Sequence, residues 1–271
     1  MFLVNAPAGS GKTTYIENTI INLLAQYPNR RILSITYTNR AKEELNSRIN
    51  SKNVTVDTIH SFLSDFVGLY FSKPEVIDLY LQVFEKKIKA LIDNGEDDSK
   101  NARYIDKFGK LDFETIKNNL HKVFYNEQSY SSYYYGGLSH DDMLLFCRKM
   151  FEKFEMLKKR LSNKYRYIFI DEYQDTSYVR FLFIKELVDN MNSSLMVVGD
   201  DFQSIYRFSG CDISLFYNFK DYYKEAVTHK IRNTYRNSEE LIKIASEFIL
   251  KNKYQLRKEL TSFKHIDYPL Q

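Results

Sequence analysis

The chain has no tryptophan, two cysteines, and no apolar run of the length a membrane span requires. A helix that crosses a bilayer needs about 18–20 consecutive apolar residues, so no membrane partner is expected. Cys147 and Cys211 stand far apart in no ligand spacing, which argues against a disulfide framework and a zinc site. The N-terminus lacks a basic segment ahead of an apolar one, so no secretory leader is expected and the protein reads as cytoplasmic. Charge of one sign is missing too: 39 basic against 35 acidic residues leave +4. Any nucleic-acid surface must therefore be a local patch, because the whole chain is not basic. No internal repeat or low-complexity run occurs. With 44% hydrophobic residues over 271 positions, the chain can bury a substantial core, as one large domain or two small ones.

The organising stretch is Asn5-Ala6-Pro7-Ala8-Gly9-Ser10-Gly11-Lys12-Thr13-Thr14. It follows the apolar run Met1 to Val4 and opens a helical pattern through Tyr15, Ile16, Thr19, Ile20 and Leu23. Strand, glycine-containing turn and helix are the context of a phosphate-binding loop, although Ala6 stands where the full signature has Gly. Gly9 and Gly11 let the backbone curl so that successive N–H groups meet one anion, and the helix N-terminus adds partial positive charge there. Ala8 to Thr14 are thus candidate triphosphate contacts, with Lys12 reaching the outer phosphates and the Thr13 hydroxyl ligating Mg²⁺. The cofactors expected are ATP and Mg²⁺.

Strands are expected at Arg31 to Thr36 and Val54 to Val56, with helices from Thr38 to about Asn50 and Thr58 to about Phe71. This alternation predicts an α/β fold with a parallel sheet covered on both faces. From Ser72 to Gly137 helical spacing persists without a convincing strand, as in Leu81, Phe84, Ile88 and Leu91, and a polar break falls at 93–99. This is read as a mostly helical inserted subdomain. Its tyrosine run at 130–135 is either a base-stacking surface or subdomain packing. A single helix is expected from Asp141 to Arg160, then buried strands at Tyr167 to Ile170 and Leu195 to Val198, with another at Val227 to Ile231. Helices are expected from Ser177 to Asp189 and from Ser238 to Lys251.

Two strands end in acids. Ile168-Phe169-Ile170 delivers Asp171 and Glu172, a metal contact and a general base in a phosphate-loop enzyme. Val197-Val198-Gly199 delivers Asp200, Asp201 and then Gln203, suited to sensing the γ-phosphate or positioning water. Ligands of open α/β sheets bind at such strand ends.

With these residues in place, the chain resembles the first RecA-like motor domain of UvrD/Rep-type superfamily 1 DNA helicases. Ala6 to Thr13 resembles motif I, Thr36-Tyr37-Thr38-Asn39-Arg40-Ala41 motif Ia, and Thr58-Ile59-His60-Ser61-Phe62 motif Ib. Asp171-Glu172-Tyr173-Gln174-Asp175 is similar to motif II, Gly199 to Tyr206 to motif III, and Thr234-Tyr235-Arg236-Asn237 to motif IV. The resemblance implies motor-domain segments at 1–71 and 138–271 around a helical 1B-like insertion at 72–137. It implies Lys12, Thr13 and Asp171 on phosphate and Mg²⁺, with Glu172, Gln203 and Arg236 catalytic and Tyr235 stacked on adenine. It places Tyr37, Asn39, His60 and Phe208 on single-stranded DNA. The implied activity is an ATP-dependent single-stranded DNA translocase or helicase of 3'-5' polarity. The implied partners are single-stranded DNA, a second RecA-like domain expected to be missing after motif IV, and an accessory protein. The alternative is a nucleotide-dependent binding module with little hydrolysis. The altered motif III, with Phe208-Ser209-Gly210-Cys211 where the family has Trp-Arg-Gly-Ala, favours it, as do the adenine-reading helix expected to be missing ahead of motif I and the short C-terminus. Thr14 also stands where the family usually has Arg.

Overall fold

Short apolar runs become buried parallel strands here where helices cover their side chains. A computed structural model of the chain describes residues 1–94, 112–125, 133–189, 193–252 and 257–264. Two units are distinguished: Met1–Thr58, Arg160–Phe181 and Asn190–Gln271 form the first, Ile59–Lys159 and Leu182–Asp189 the second.

The first unit begins with β1 (Phe2–Asn5), α1 (Lys12–Gln26), β2 (Ile32–Thr36), α2 (Asn39–Arg48) and β3 (Val54–Thr58). The chain then enters the second unit through α3 (Ile59–Val67), α4 (Pro74–Asp93), α5 (Phe113–Asn119), β4 (Phe124–Tyr125), β5 (Gly137–Leu138) and α6 (His140–Lys153). After α7 (Glu155–Lys164) come β6 (Tyr167–Ile170), α8 (Tyr178–Asp189) and β7 (Ser194–Gly199). The short helices α9 (Ser214–Tyr217) and α10 (Phe219–Tyr222) precede β8 (Val227–Lys230), β9 (Asn233–Ser238), α11 (Glu239–Ile249) and β10 (Thr261–Lys264).

The first unit is an α/β fold of the RecA-like kind. Its six-stranded sheet has the order β3-β2-β6-β7-β1-β8, and every pairing within it is parallel. All five residues of β2 are buried, as a strand covered on both faces requires. Val4, Ile16, Ile20, Ile32, Leu45, Val56, Phe169 and Val198 share one core cluster, so α1 and α2 close one side of the sheet. Because the strands run parallel, β1, β6 and β7 bring their carboxyl ends to one edge, and Asn5 pairs in register with Gly199.

The second unit is mainly helical among its described residues. Pro74 starts α4 at a position where its missing N–H costs nothing, and the helix buries Val76, Ile77, Tyr80, Leu81, Phe84 and Ile88. Tyr80 meets Phe146 of α6 edge-on at 5.6 Å between ring centres. The polar break at 93–99 lies outside the described residues from 95 onward, as do 130–132 of the tyrosine run. Tyr133 packs: its ring lies 5.3 Å from Phe84, and its hydroxyl donates to Asp142 at 2.9 Å.

Three local expectations are corrected. The helix from 141 to 160 is interrupted at Phe154 (φ −111°, ψ 87°). Residues 152–156 contain neither Gly nor Pro, so packing rather than a local breaker sets the interruption. Lys158 consequently sits inside α7, not at a helix end, and pairs with Glu186 at 2.5 Å. The two-residue pair β4–β5 appears where no strand was expected, being too short for any periodic signal. The polar stretch Asn233–Ser238 is a strand, β9, paired in parallel with β10.

Candidate functional site

The phosphate loop runs from the end of β1 into α1. Gly9 has φ 70°, and a Cβ there would lie 2.2 Å from the Arg236 Cβ, so only glycine allows this approach. Gly11 caps α1, and no side chain hydrogen-bonds across the cap. The first-turn donors of a helix lack intrahelical acceptors, and here no side chain competes with an anion for them. The Ser10 hydroxyl is buried within the loop and has no hydrogen-bond partner. Beside the loop lies a cavity of ≈ 690 Å³, lined among others by Gly11, Thr14, Tyr15, His229 and Tyr235.

At the end of β6, which β7 separates from β1, the Lys12 ammonium pairs with Glu172 Oε2 at 2.9 Å. Glu172 is held at φ 48°, a left-handed conformation costly for a residue with a side chain. Gln174 donates to the same Oε2 at 2.9 Å and to Asp175 Oδ2 at 3.1 Å, while its carbonyl accepts from the Asp200 N–H at 3.0 Å. Gly199 must be glycine for this, because a Cβ would stand 2.5 Å from Gln174 Oε1. Asp171 is buried, and its carboxyl is pushed up to about 6, by burial first and then by the Glu172 carboxylate. Asp175 is likewise pushed up to about 6 by burial and Glu172.

These residues fit ATP and Mg²⁺. A lone buried hydroxyl lies in the loop, a lysine takes a carboxylate in place of phosphate, and a buried aspartate is unfavourable until a cation neutralises it. Among the described residues no group of three or more His, Cys, Asp or Glu could hold a metal.

Gln203 donates from Nε2 to Asp200 Oδ2 at 2.7 Å. Motif IV is joined to the phosphate loop by backbone: Tyr235 N–H donates to the Gly9 carbonyl at 2.9 Å, and the Thr234 hydroxyl donates to Ala8 at 2.8 Å. Tyr235 is exposed beside the cavity, stacked on Phe263 at 5.3 Å, and Arg236 is exposed on the strand that meets Gly9. Thr13 is half-buried in the first turn of α1, next to an exposed Thr14.

The residues assigned to DNA differ in setting. Phe208 is 86% exposed, with Ile205 and Tyr206 also exposed on the same loop. Tyr37 is half-buried: its hydroxyl donates to the Asp175 carbonyl and the Arg180 guanidinium lies 4.7 Å from its ring centre. Arg180 and the Cys211 thiol donate to that same carbonyl, at 3.3 and 2.9 Å. Burial raises the Tyr37 phenol above its ordinary value. Asn39 is exposed at the start of α2. His60, in the second unit, stacks on Tyr125 at 5.8 Å, and its Nε2 lies 3.1 Å from the His140 carbonyl. Gln174, Arg180 and Lys258 carry contacts here that no spacing in the sequence announced.

A family model described as UvrD/REP helicase N-terminal domain matches residues 1–84 and 72–224. The chain belongs to this family. It is 30% identical over 292 residues to the ATP-dependent DNA helicase Rep of Buchnera aphidicola subsp. Acyrthosiphon pisum (strain APS), covering 96% of this chain and 44% of that protein. It is 28% identical to a probable DNA helicase II homolog of Mycoplasma capricolum (94% of this chain, 40% of that protein). Against the ATP-dependent DNA helicase PcrA of Staphylococcus aureus (strain Mu50 / ATCC 700699) the identity is 29% (92% of this chain, 38% of that protein). The chain thus spans about two-fifths of the length of these UvrD/REP relatives. Among the described residues no helix is long and apolar enough to cross a membrane.

Proposed function

We propose that the chain is the ATP-handling part of an ATP-dependent single-stranded DNA translocase or helicase, acting in the cytoplasm with 3'-5' polarity. The observation that carries this is the Lys12–Glu172 pair, which joins the N-terminus of α1 to the end of β6 beside the buried Asp171. In the reading, residues 8–14 hold the triphosphate and Tyr235 stacks on the base. Thr13 and Asp171 hold Mg²⁺, which supplies charge neutralisation on the phosphates. Lys12 moves from Glu172 to the outer phosphates, which frees the Glu172 carboxylate to accept a proton from the attacking water. Gln203 and Arg236 meet the γ-phosphate. Tyr37, Asn39 and Phe208 of the first unit, and His60 of the second, are each assigned to single-stranded DNA, where stacking tolerates any base and backbone contacts read no sequence.

The same proposal assigns residues 72–137 to an inserted 1B-like subdomain within a motor domain at 1–71 and 138–271. It also names a second RecA-like domain as partner. In motors of this kind a further arginine contributes about 10³–10⁵ in rate. This chain alone is therefore expected to hydrolyse ATP slowly and not to unwind a forked duplex. Titration with a fluorescent ATP analogue tests the core of the reading: Lys12→Ala abolishes measurable binding, and unchanged binding refutes the site. The alternative, a nucleotide-dependent binding module, is favoured by the altered close of motif III at Phe208-Ser209-Gly210-Cys211. Adding a second RecA-like domain in trans separates the two, since only a motor half gains DNA-stimulated turnover.

A further inference from the structure

Lys258 lies far along the chain from every motif, yet its side chain is only 10% exposed. Its ammonium stands 2.5 Å from Asp200 Oδ1 and 2.5 Å from Asp201 Oδ1, between two carboxylates that are themselves buried. It also lies 4.4 Å from the centre of the Phe202 ring, so carboxylates and an aromatic face surround the charge. Adjacent buried carboxylates are unfavourable without a cation, and Lys258 brings one to both. Asp200 Oδ1 accepts the Phe202 N–H at 3.1 Å, while Asp201 accepts from Asn5 Nδ2 at 3.0 Å and the Tyr217 hydroxyl at 3.2 Å. Asp200 has one further oxygen, Oδ2, and that oxygen accepts the Gln203 amide at 2.7 Å.

We infer that Lys258 is the internal counter-ion of the Asp200–Asp201 pair and, through Asp200, a positioning residue for the Gln203 amide. The inference rests on the nucleotide reading of Gln203 and adds to it a residue outside the helicase motifs. Lys258 fixes the orientation of Asp200, and Asp200 fixes which way the amide points. The segment that carries Lys258 is tied to the same strand as Tyr235 and Arg236: Thr261 N–H donates to the Arg232 carbonyl at 2.9 Å, and β10 pairs with β9. A shift of this segment therefore reaches Gln203 through one buried ion pair. Because the pair is buried, ordinary salt screens it weakly.

The test is single-turnover ATP hydrolysis and fluorescent ATP-analogue affinity on this chain, with Lys258→Met, Lys258→Arg, Lys258→Met/Asp201→Asn and Lys12→Ala compared. Lys258→Met is expected to keep analogue affinity within about threefold while slowing hydrolysis about tenfold or more, the pattern of a group that acts after binding. Lys258→Arg keeps the charge and recovers most of the rate. The double variant returns the cluster to its native net charge and recovers part of it, a coupling expected only of residues in contact. It also serves where Lys258→Met fails to fold. Equal hydrolysis in Lys258→Met and wild type overturns the inference and leaves the nucleotide site standing. A folded double variant no faster than Lys258→Met, or no faster than one tenth of wild type where the single variant does not fold, overturns the counter-ion account. Hydrolysis and binding indifferent to Lys12→Ala overturn the nucleotide reading and the role of Lys258 with it.

Discussion

β6 and β7 end alike and behave oppositely. Each is a buried apolar strand that delivers two consecutive acids to the same edge of the sheet: Asp171-Glu172 after one, Asp200-Asp201 after the other. After β7 the pair is closed, with an internal cation between the carboxylates at 2.5 Å. After β6 it is open. Lys12 makes its direct ion pair with Glu172, and Asp171 stays buried with its carboxyl pushed up to about 6. In the proposed reading, an acid pair serves a ligand where the fold leaves its buried member, Asp171, outside a direct ion pair while Glu172 is only half-buried. Where a lysine arrives from elsewhere in the chain, the same pattern becomes a strut.

The largest expected effect lies on the open side. Glu172→Gln keeps shape and leaves Asp171 for the metal but cannot accept a proton, so hydrolysis should fall by about 10²–10⁴ with ATP binding nearly intact. Quenched-flow turnover with a parallel binding titration reads this, and an unchanged rate would place the base elsewhere.

On the closed side, Lys258→Met leaves two buried carboxylates without a cation, and chemical denaturation at pH 7 should show a loss of about 3–5 kcal/mol. A loss below ~1 kcal/mol would mean that the strut is solvated.

Asp171→Asn should do the reverse. The rise of the Asp171 carboxyl from 3.8 to about 6 corresponds to about 3 kcal/mol. Since the folded value lies above the unfolded one, this contribution is complete below pH ~4 and lost as pH rises through about 6. In the absence of nucleotide and Mg²⁺, Asp171→Asn should therefore be more stable than wild type at pH 7 and equal to it near pH 4. Stabilisation at neutral pH opposite in sign to that of Lys258→Met would sharpen the contrast, and destabilisation would break it.

The smallest effect belongs to the exposed loop that follows the β7 acids. Phe208→Ala should weaken single-stranded DNA binding by about 1–3 kcal/mol for lost stacking, equally for all base compositions, while the salt dependence stays that of the phosphate contacts. Fluorescence anisotropy on homopolymers checks this. Since Phe208 is 86% exposed, its loss should leave folding stability unchanged.

The phosphate loop, the strands ending in acids and the α/β alternation were legible in the sequence because each is a local pattern. Apolar runs of strand length, a glycine-containing turn and helical spacing are read within a dozen residues, and chemistry at strand ends follows from them. The α6–α7 interruption and the polar strand β9 were not legible, since neither has a local signal. Residues 152–156 hold no breaker, and Asn233–Ser238 is a strand only because the phosphate loop and β10 offer it backbone partners. Tertiary structure alone decided the strand order, the amide of Gln174 bridging motifs II and III, and the arrival of Lys258 between two aspartates more than fifty positions upstream. Sequence determined which strands end in acid pairs. Which pair is left without an internal lysine depends on where a distant cation is buried, and burial is a property of the folded chain.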